Sequence, residues 1–179
     1  MREEWQPVET ARLRLRAPTL GDATAIYARY SSDPLVTKYL GWPRHTAVDD
    51  AYAFVAFSDE QWRVWPVGPL LIEDLRTGAL LGGTGLSFES AEIAETGYVL
   101  ARDAWGRGYA TEALRAVVAL QAFLPIRSLD AVCHPSNPAS MRVLEKCGFV
   151  LEAHLPRHAI FPNLSVFEPQ DCLRFNRTI

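Results

Sequence analysis

Leu100-Ala101-Arg102-Asp103-Ala104-Trp105-Gly106-Arg107-Gly108-Tyr109-Ala110-Thr111-Glu112-Ala113, residues 100–113, reads as a strand end, a short loop and a helix start. The run Ile93–Leu100 before it is rich in β-formers and predicts a strand. The run after it repeats apolar residues at Ala110, Ala113, Leu114, Val117, Leu120 and Leu124, the spacing of a helix from Tyr109 to Leu124 that Pro125 stops. The first N–H groups of a helix have no intrahelical acceptor, and the helix dipole places partial positive charge there. Glycines at 106 and 108 let a ligand come close to that backbone, so the junction suits a phosphate or pyrophosphate. A glycine-rich turn without a ligand is the alternative on spacing alone. A Walker A loop is excluded because Tyr109-Ala110 stands where Lys-Ser/Thr is needed. A dinucleotide fingerprint is excluded because Thr111 occupies its third glycine and the next strand ends near Val132-Cys133-His134, without an acid.

A second block lies downstream: Asn137-Pro138-Ala139-Ser140-Met141-Arg142-Val143-Leu144-Glu145-Lys146-Cys147-Gly148-Phe149. Asn at a cap followed by Pro at the first helical position is a helix start, and Gly148 suits the left-handed residue after its end. Together the two blocks resemble motifs A and B of the GNAT acetyltransferase superfamily. Trp105-Gly106-Arg107-Gly108-Tyr109-Ala110 matches motif A except at its first position, where Trp105 replaces Gln or Arg. That replacement and the second block are similar to the branch containing the ribosomal-protein alanine N-acetyltransferases, the Rim type. The resemblance extends from Thr10 to about Asp171.

The resemblance implies an acetyl-CoA-dependent N-acetyltransferase acting directly on a primary amine, with acetyl-CoA as co-substrate and no metal. It implies that Gly106, Arg107, Gly108, Tyr109, Ala110 and Thr111 hold the pyrophosphate. It also implies that unpaired backbone at Leu100, where two parallel strands splay, holds the pantetheine arm and the acetyl oxygen, and that Asn137 contacts that arm. Glu95, in Glu95-Thr96-Gly97-Tyr98, is the candidate general base through water; Glu89 and Glu92 are close by, and the sequence does not separate the three. Ser140 is the candidate to bond or protonate the departing thiolate, since no Tyr occurs between Asn137 and Gly148. Lys146 suits the helix C-terminus rather than a phosphate. Tyr39, Trp42 and His45 fall in the segments that cover the acceptor site in the family; Trp62 and Trp65 do too. His45 has no partner at triad or metal spacing, which favours acceptor contact over catalysis. A non-catalytic acyl-CoA-binding sensor on the same fold is the alternative function, and Glu95 with Ser140 favours the enzyme.

The rest of the chain is consistent with one domain over residues 1–179. Its 49% hydrophobic and 22% charged residues are globular rather than disordered composition. A formal charge of -3 argues against a general nucleic-acid binder. No apolar run reaches the ~20 residues of a membrane span, and Met1-Arg2-Glu3-Glu4-Trp5 precedes no signal-peptide core. Cys133, Cys147 and Cys172 lack metal-ligand spacing and read as reduced thiols. A cytoplasmic monomer or homodimer is expected, with an amine acceptor as partner and neither nucleic acid nor membrane. Arg12-Leu13-Arg14-Leu15-Arg16 alternates as a half-buried strand whose arginines form a solvated face. Helices are expected from Thr19, with Asp22 completing a capping box, from Pro34, and from Thr46, capped with Asp49, to about Gln61. Strands follow at 67–73, 79–88 with a bulge at Gly82-Gly83, 93–100, 129–133, 149–155 and 171–176, with a loop from Pro156 to Pro169. This order predicts an α/β fold, GNAT-like: a mixed, mostly antiparallel sheet of six to seven strands flanked by helices, with a splayed parallel pair.

Overall fold

The computed structural model describes residues 5–178, so the charged run Met1–Glu4 lies outside it. In chain order come β1 (Val8–Glu9), β2 (Leu13–Arg16), α1 (Ala23–Ile26), α2 (Pro34–Thr37), α3 (Val48–Val64), β3 (Pro69–Asp74), β4 (Leu80–Phe88) and β5 (Ile93–Leu100). Then follow α4 (Tyr109–Ala119), β6 (Ser128–Cys133), α5 (Pro138–Lys146), β7 (Val150–Ala159) and β8 (Gln170–Thr178). The strands form one eight-stranded sheet in the order β1-β2-β3-β4-β5-β6-β8-β7. Every neighbouring pair is antiparallel except β5–β6. The sheet thus exceeds the six to seven strands expected. The additional strand is β1, whose two residues are too few to show a period of two.

Local chemistry accounts for the helix starts. Asp33 accepts hydrogen bonds from the N–H groups of Leu35 and Val36, and Pro34 takes the first helical position. The α3 box closes one residue later than expected: Asp50, not Asp49, accepts from the N–H groups of Thr46 and Ala47 at 2.7 and 3.1 Å. β7 runs through Pro156 into the segment read as loop. It pairs only with β8, so a proline can sit in it without breaking a second ladder. The register shifts twice, between Leu151 and Ala153 and between Leu155 and Ala159, and in the second stretch Arg157 adopts a left-handed φ of 48°.

Arg14 of β2 is exposed as expected and pairs with Glu9 at 2.9 Å, but Arg16 is not part of a solvated face. Arg16 is wedged between Asp22 and Glu73, bonding the first at 2.7 and 2.8 Å and the second at 2.5 and 2.8 Å. Its hydrogen bonds to Asp22 lead the effects that hold the guanidinium charged. Sequence alternation located this side of the strand, but the partners come from β3 and from the turn before α1.

Helices cover both faces of the sheet. Leu114 and Val117 of α4 pack in the larger core with Leu70, Ile72, Leu100 and Leu129. Ile26 and Tyr30 after β2, with Val55 of α3, pack on the other face with Leu71 and Ala101. The β3–β4 register skips Leu81, which places the bulge one residue before the glycine pair. Gly82 instead serves close packing, since a Cβ there would lie 2.0 Å from the Val99 carbonyl oxygen. Its absence lets β4 approach β5 closely. Gly82→Ala is expected to cost at least about 1–3 kcal/mol, the range for overpacking a tight site. Urea unfolding of the variant measures it, and Gly97→Ala, with nothing within 4 Å of the added carbon, is the control.

Candidate active site

β5 and β6 pair at only three positions, Ile93↔Ser128, Ala94↔Leu129 and Glu95↔Asp130. Beyond Glu95 each strand keeps its other partner, β4 for β5 and β8 for β6, but the two no longer bond each other. The Ala101 N–H donates to Leu81 on the β4 side. Backbone groups alternate along a strand, so those of Thr96, Tyr98 and Leu100 face the gap. The Leu100 carbonyl there accepts the Trp105 indole N–H at 2.8 Å. Trp105 therefore closes the strand end locally, and the Leu100 N–H still faces the gap.

The glycine loop follows directly. Gly106 and Gly108 hold left-handed φ values of 73° and 78°, which turn the chain into α4. The Glu112 N–H donates to the Gly108 carbonyl, the first bond of the helix. The N–H groups of Gly108, Tyr109, Ala110 and Thr111 precede it and have no intrahelical acceptor. Arg12, from β2's approach, clasps this junction: Nη1 donates to the Arg107 carbonyl at 3.0 Å and Nε to Glu112 at 2.7 Å. Its guanidinium lies 4.6 Å from the centroid of the Tyr109 ring. Sequence reading missed this clasp because about a hundred residues separate its halves. Beside it lies a cleft of about 680 Å³ bordered by Gly108, Thr111, Arg115 and Lys146.

On the α4–α5 side of the gap stands Ser140. Asn137 caps α5, its Oδ1 accepting the Ser140 N–H at 3.2 Å, while its side-chain NH₂ donates to no group among the described residues. The Ser140 hydroxyl is 2.9 Å from the Tyr98 phenol oxygen, which also lies 3.0 Å from the Ser140 carbonyl. Tyr98 is the residue sequence reading passed over. The only available signal was its place in Glu95-Thr96-Gly97-Tyr98, and nothing in the spacing links position 98 to position 140.

Glu95 lies on the opposite face. It alternates with Gly97 and Val99, and Val99 packs against the α1–α3 layer. A Cβ at Gly97 would meet nothing within 4 Å, so space is open beside the carboxylate. Desolvation first, and then the neighbouring Asp130, push the Glu95 carboxyl above the ordinary glutamate value, while Arg174 opposes them. By surface exposure Glu95 is no more covered than Glu89 and Glu92; what sets it apart is its place between Asp130 and Arg174.

The acceptor candidates gather on the α1–α3 side in two aromatic contacts. Tyr39 stacks on His134 at 4.9 Å, and Phe161 meets His134 edge-on at 5.0 Å. Trp42 and His45 lie 5.4 Å apart. Burial keeps His45 below its ordinary pKa, and its Nδ1 is buried without a partner among the described residues. Asn163 ties these segments together. Its amide donates to the Thr37 and Trp42 carbonyls at 2.7 and 2.9 Å and accepts the Arg44 N–H at 2.8 Å. Trp62 is buried and Trp65 stacks on Phe88, so both serve packing. Among the described residues no cluster of three or more His, Cys, Asp or Glu is placed to hold a metal. None of their helices is long and apolar enough to cross a membrane.

A sheet opened at its one parallel pair, with a glycine-bounded helix start at the mouth, defines an acyltransferase. The chain belongs to the GNAT acetyltransferase family: the family model described as an acetyltransferase (GNAT) domain matches residues 12–150. The uncharacterised N-acetyltransferase YoaA of Bacillus subtilis is 33% identical over 159 residues, covering 84% of this chain and 86% of its own. Among solved structures, the ribosomal L7/L12 alpha-N-protein acetyltransferase RimL with coenzyme A superposes with a TM-score of 0.85 at 19% identity, over 97% of this chain and 98% of that one. Spermidine N-acetyltransferase of Vibrio cholerae, with CoA and spermine, gives 0.78 at 20% identity, over 94% and 96%.

The raised Glu95 value carries a stability consequence. A carboxyl that the fold keeps above its ordinary pKa stabilises the fold below the unfolded value, and that contribution is lost as pH rises through the folded one. The permanently neutral Glu95→Gln is therefore expected to melt above wild type at neutral pH. The difference should close below about pH 4. Thermal melts across pH 3–8, roughly the window in which the carboxyl ionises, test it.

Proposed function

We propose that this chain transfers the acetyl group of acetyl-CoA directly to a primary amine, on a protein N-terminus or a small molecule. One observation carries the reading: uncommitted backbone donors at Gly108–Thr111 open onto a strand gap that has a carboxylate on one face and a hydroxyl pair on the other. The residues fit the cofactor. The amides of Gly106 to Thr111 and the α4 dipole suit a diphosphate, and the free side-chain NH₂ of Asn137 suits an amide carbonyl on a narrow arm. Arg115 borders the cleft alongside, where further phosphate charge is accommodated, and Lys146 stays with the C-terminus of α5. When bound, acetyl-CoA supplies the thioester whose acetyl group is to be moved.

The protein's own groups do the rest. The Leu100 N–H faces the gap as a donor toward the acetyl oxygen. Glu95, through one water, takes the proton that an ammonium must lose before its nitrogen attacks, a contribution of typically ~10²–10⁴-fold. Its raised pKa makes it a stronger base than an ordinary glutamate. Ser140 donates a hydrogen bond toward the departing sulfur. A sensor would need the phosphate loop alone, so the filled acid and hydroxyl positions support turnover. The neighbours' names, a ribosomal-protein α-amine enzyme and a spermidine enzyme, support both ends of the acceptor range. Tyr39, Trp42 and His45 are assigned to acceptor contact, and the three free buried thiols accord with a reducing cytoplasm. The reading includes a monomer or homodimer as the acting form.

Two measurements test it. Acetyl-CoA is expected to raise the melting temperature, by about 2.7 kcal/mol of stabilisation at a hundredfold excess over Kd. Gly108→Val, strained at a left-handed position, is expected to lose that shift while remaining folded; a retained shift removes the loop from the cofactor site. With an amine panel and thiol release as readout, Glu95→Gln is expected to lose ~10²–10⁴-fold in kcat/KM at neutral pH. Activity should partly recover at alkaline pH, where the amine deprotonates unaided. An unchanged pH profile assigns Glu95 to binding instead.

A further inference from the structure

We propose that Tyr98 is a working part of the leaving-group site: its phenol and the Ser140 hydroxyl act as one donor pair that holds the departing sulfur as a thiolate without surrendering a proton. The inference rests on the acetyl-transfer reading and deepens it. Its observation is the triangle of Tyr98 Oη, Ser140 Oγ and the Ser140 carbonyl, with edges of 2.9 and 3.0 Å from the phenol.

Two protons serve three acceptor atoms in that triangle. The carbonyl only accepts, so in the resting site the phenol donates to it or to Oγ, and the Ser140 hydroxyl turns back to the phenol or outward. A hydrogen bond to an anion is roughly twice as strong as a neutral one. An anionic sulfur beside Ser140 therefore turns the hydroxyl proton outward and the phenol proton onto Oγ, and each bond polarises the next. The pair then presents a stronger donor than a lone serine.

Transfer of the proton is disfavoured. Burial holds the Tyr98 phenol above its ordinary value, already about 10, whereas a free thiol ionises near about 8.5. The titratable groups acting on the phenol besides Ser140 are Cys133 of β6 and Cys147 after α5, both themselves held above the usual thiol range by burial. They stay neutral and offer no compensating charge. The balance of the step is then complete without them: the amine lone pair forms the C–N bond, and the C–S electron pair leaves with sulfur. The ammonium sheds two protons: one departs through water to Glu95 before attack, the second passes through water to solvent as the C–S bond breaks, and the sulfur takes a proton from solvent on release.

The test is a spectroscopic titration of the thiol of free CoA bound to the protein, which needs no acceptor. In wild type the midpoint should fall below that of CoA in solution by about one unit, a tenfold gain in thiolate. Ser140→Ala should return it to the solution value, Tyr98→Phe should raise it part of the way, and the double variant should go no further than Ser140→Ala alone. In turnover, Tyr98→Phe should lower kcat at unchanged KM for acetyl-CoA, by the same factor as its own loss of thiolate and by less than about tenfold. A wild-type midpoint at the solution value overturns the pair, and this measurement stands even if a variant does not fold. A folded Tyr98→Phe with wild-type midpoint makes Tyr98 a packing residue. Wild type that binds no CoA overturns the acetyl-transfer reading itself, a separate result.

Discussion

The parting of β5 from β6 after three pairs is the constraint on which the remaining architecture depends. A sheet is held by its ladder, and strands that stop pairing leave donors and acceptors without partners. Here the loss is tolerated because each strand keeps a full neighbour on its outer side. Gly82 lets β4 close tightly on the outer half of β5, and α5 meets the other side of the gap through Tyr98. What would be a defect in a structural sheet becomes a slot lined with backbone hydrogen-bonding groups, with α4 beginning at its mouth.

The slot explains the charges around the loop. Glu112 in the first turn of α4 suits the helix dipole but also places a negative charge where a phosphate would approach. Arg12 removes that conflict by engaging Glu112 and the Arg107 carbonyl together. The same contacts fix the loop against β2, so its amides are held in place before any ligand arrives. Preorganised donors cost no ordering at the moment of binding.

The two faces of the slot divide the chemistry. Glu95, lifted by desolvation and Asp130, stands on the α1–α3 side with the aromatic residues that Asn163 draws together. Tyr98 and Ser140 stand on the α4–α5 side. Alternation along a single strand does this: residues 95 and 98 differ in parity and project to opposite faces. On the proposed reading, the proton would be taken on one face and the negative charge received on the other.

Much of this was legible in the sequence because it is local. Gly106 and Gly108, the Asn137-Pro138 start, Gly148 after α5 and the Ile93–Leu100 strand each follow from the preferences of neighbouring residues, and together they disclosed the fold and the two helix starts that border the candidate site. The errors that remained were local as well, such as Asp49 for Asp50 and the bulge at Gly82-Gly83 rather than Leu81. They are shifts of one residue, because cap and register depend on which of two adjacent groups meets its partner. Arg12 with Glu112, Tyr98 with Ser140 and Asn163 with Thr37 and Trp42 were not legible at all. Each pair lies between 42 and 126 residues apart. No propensity or periodicity encodes which distant side chains meet. That is decided only when the sheet order and the packing of its helices bring them within hydrogen-bond distance, so the sequence by itself determined the chain's elements and family, and the tertiary structure decided how its site is assembled.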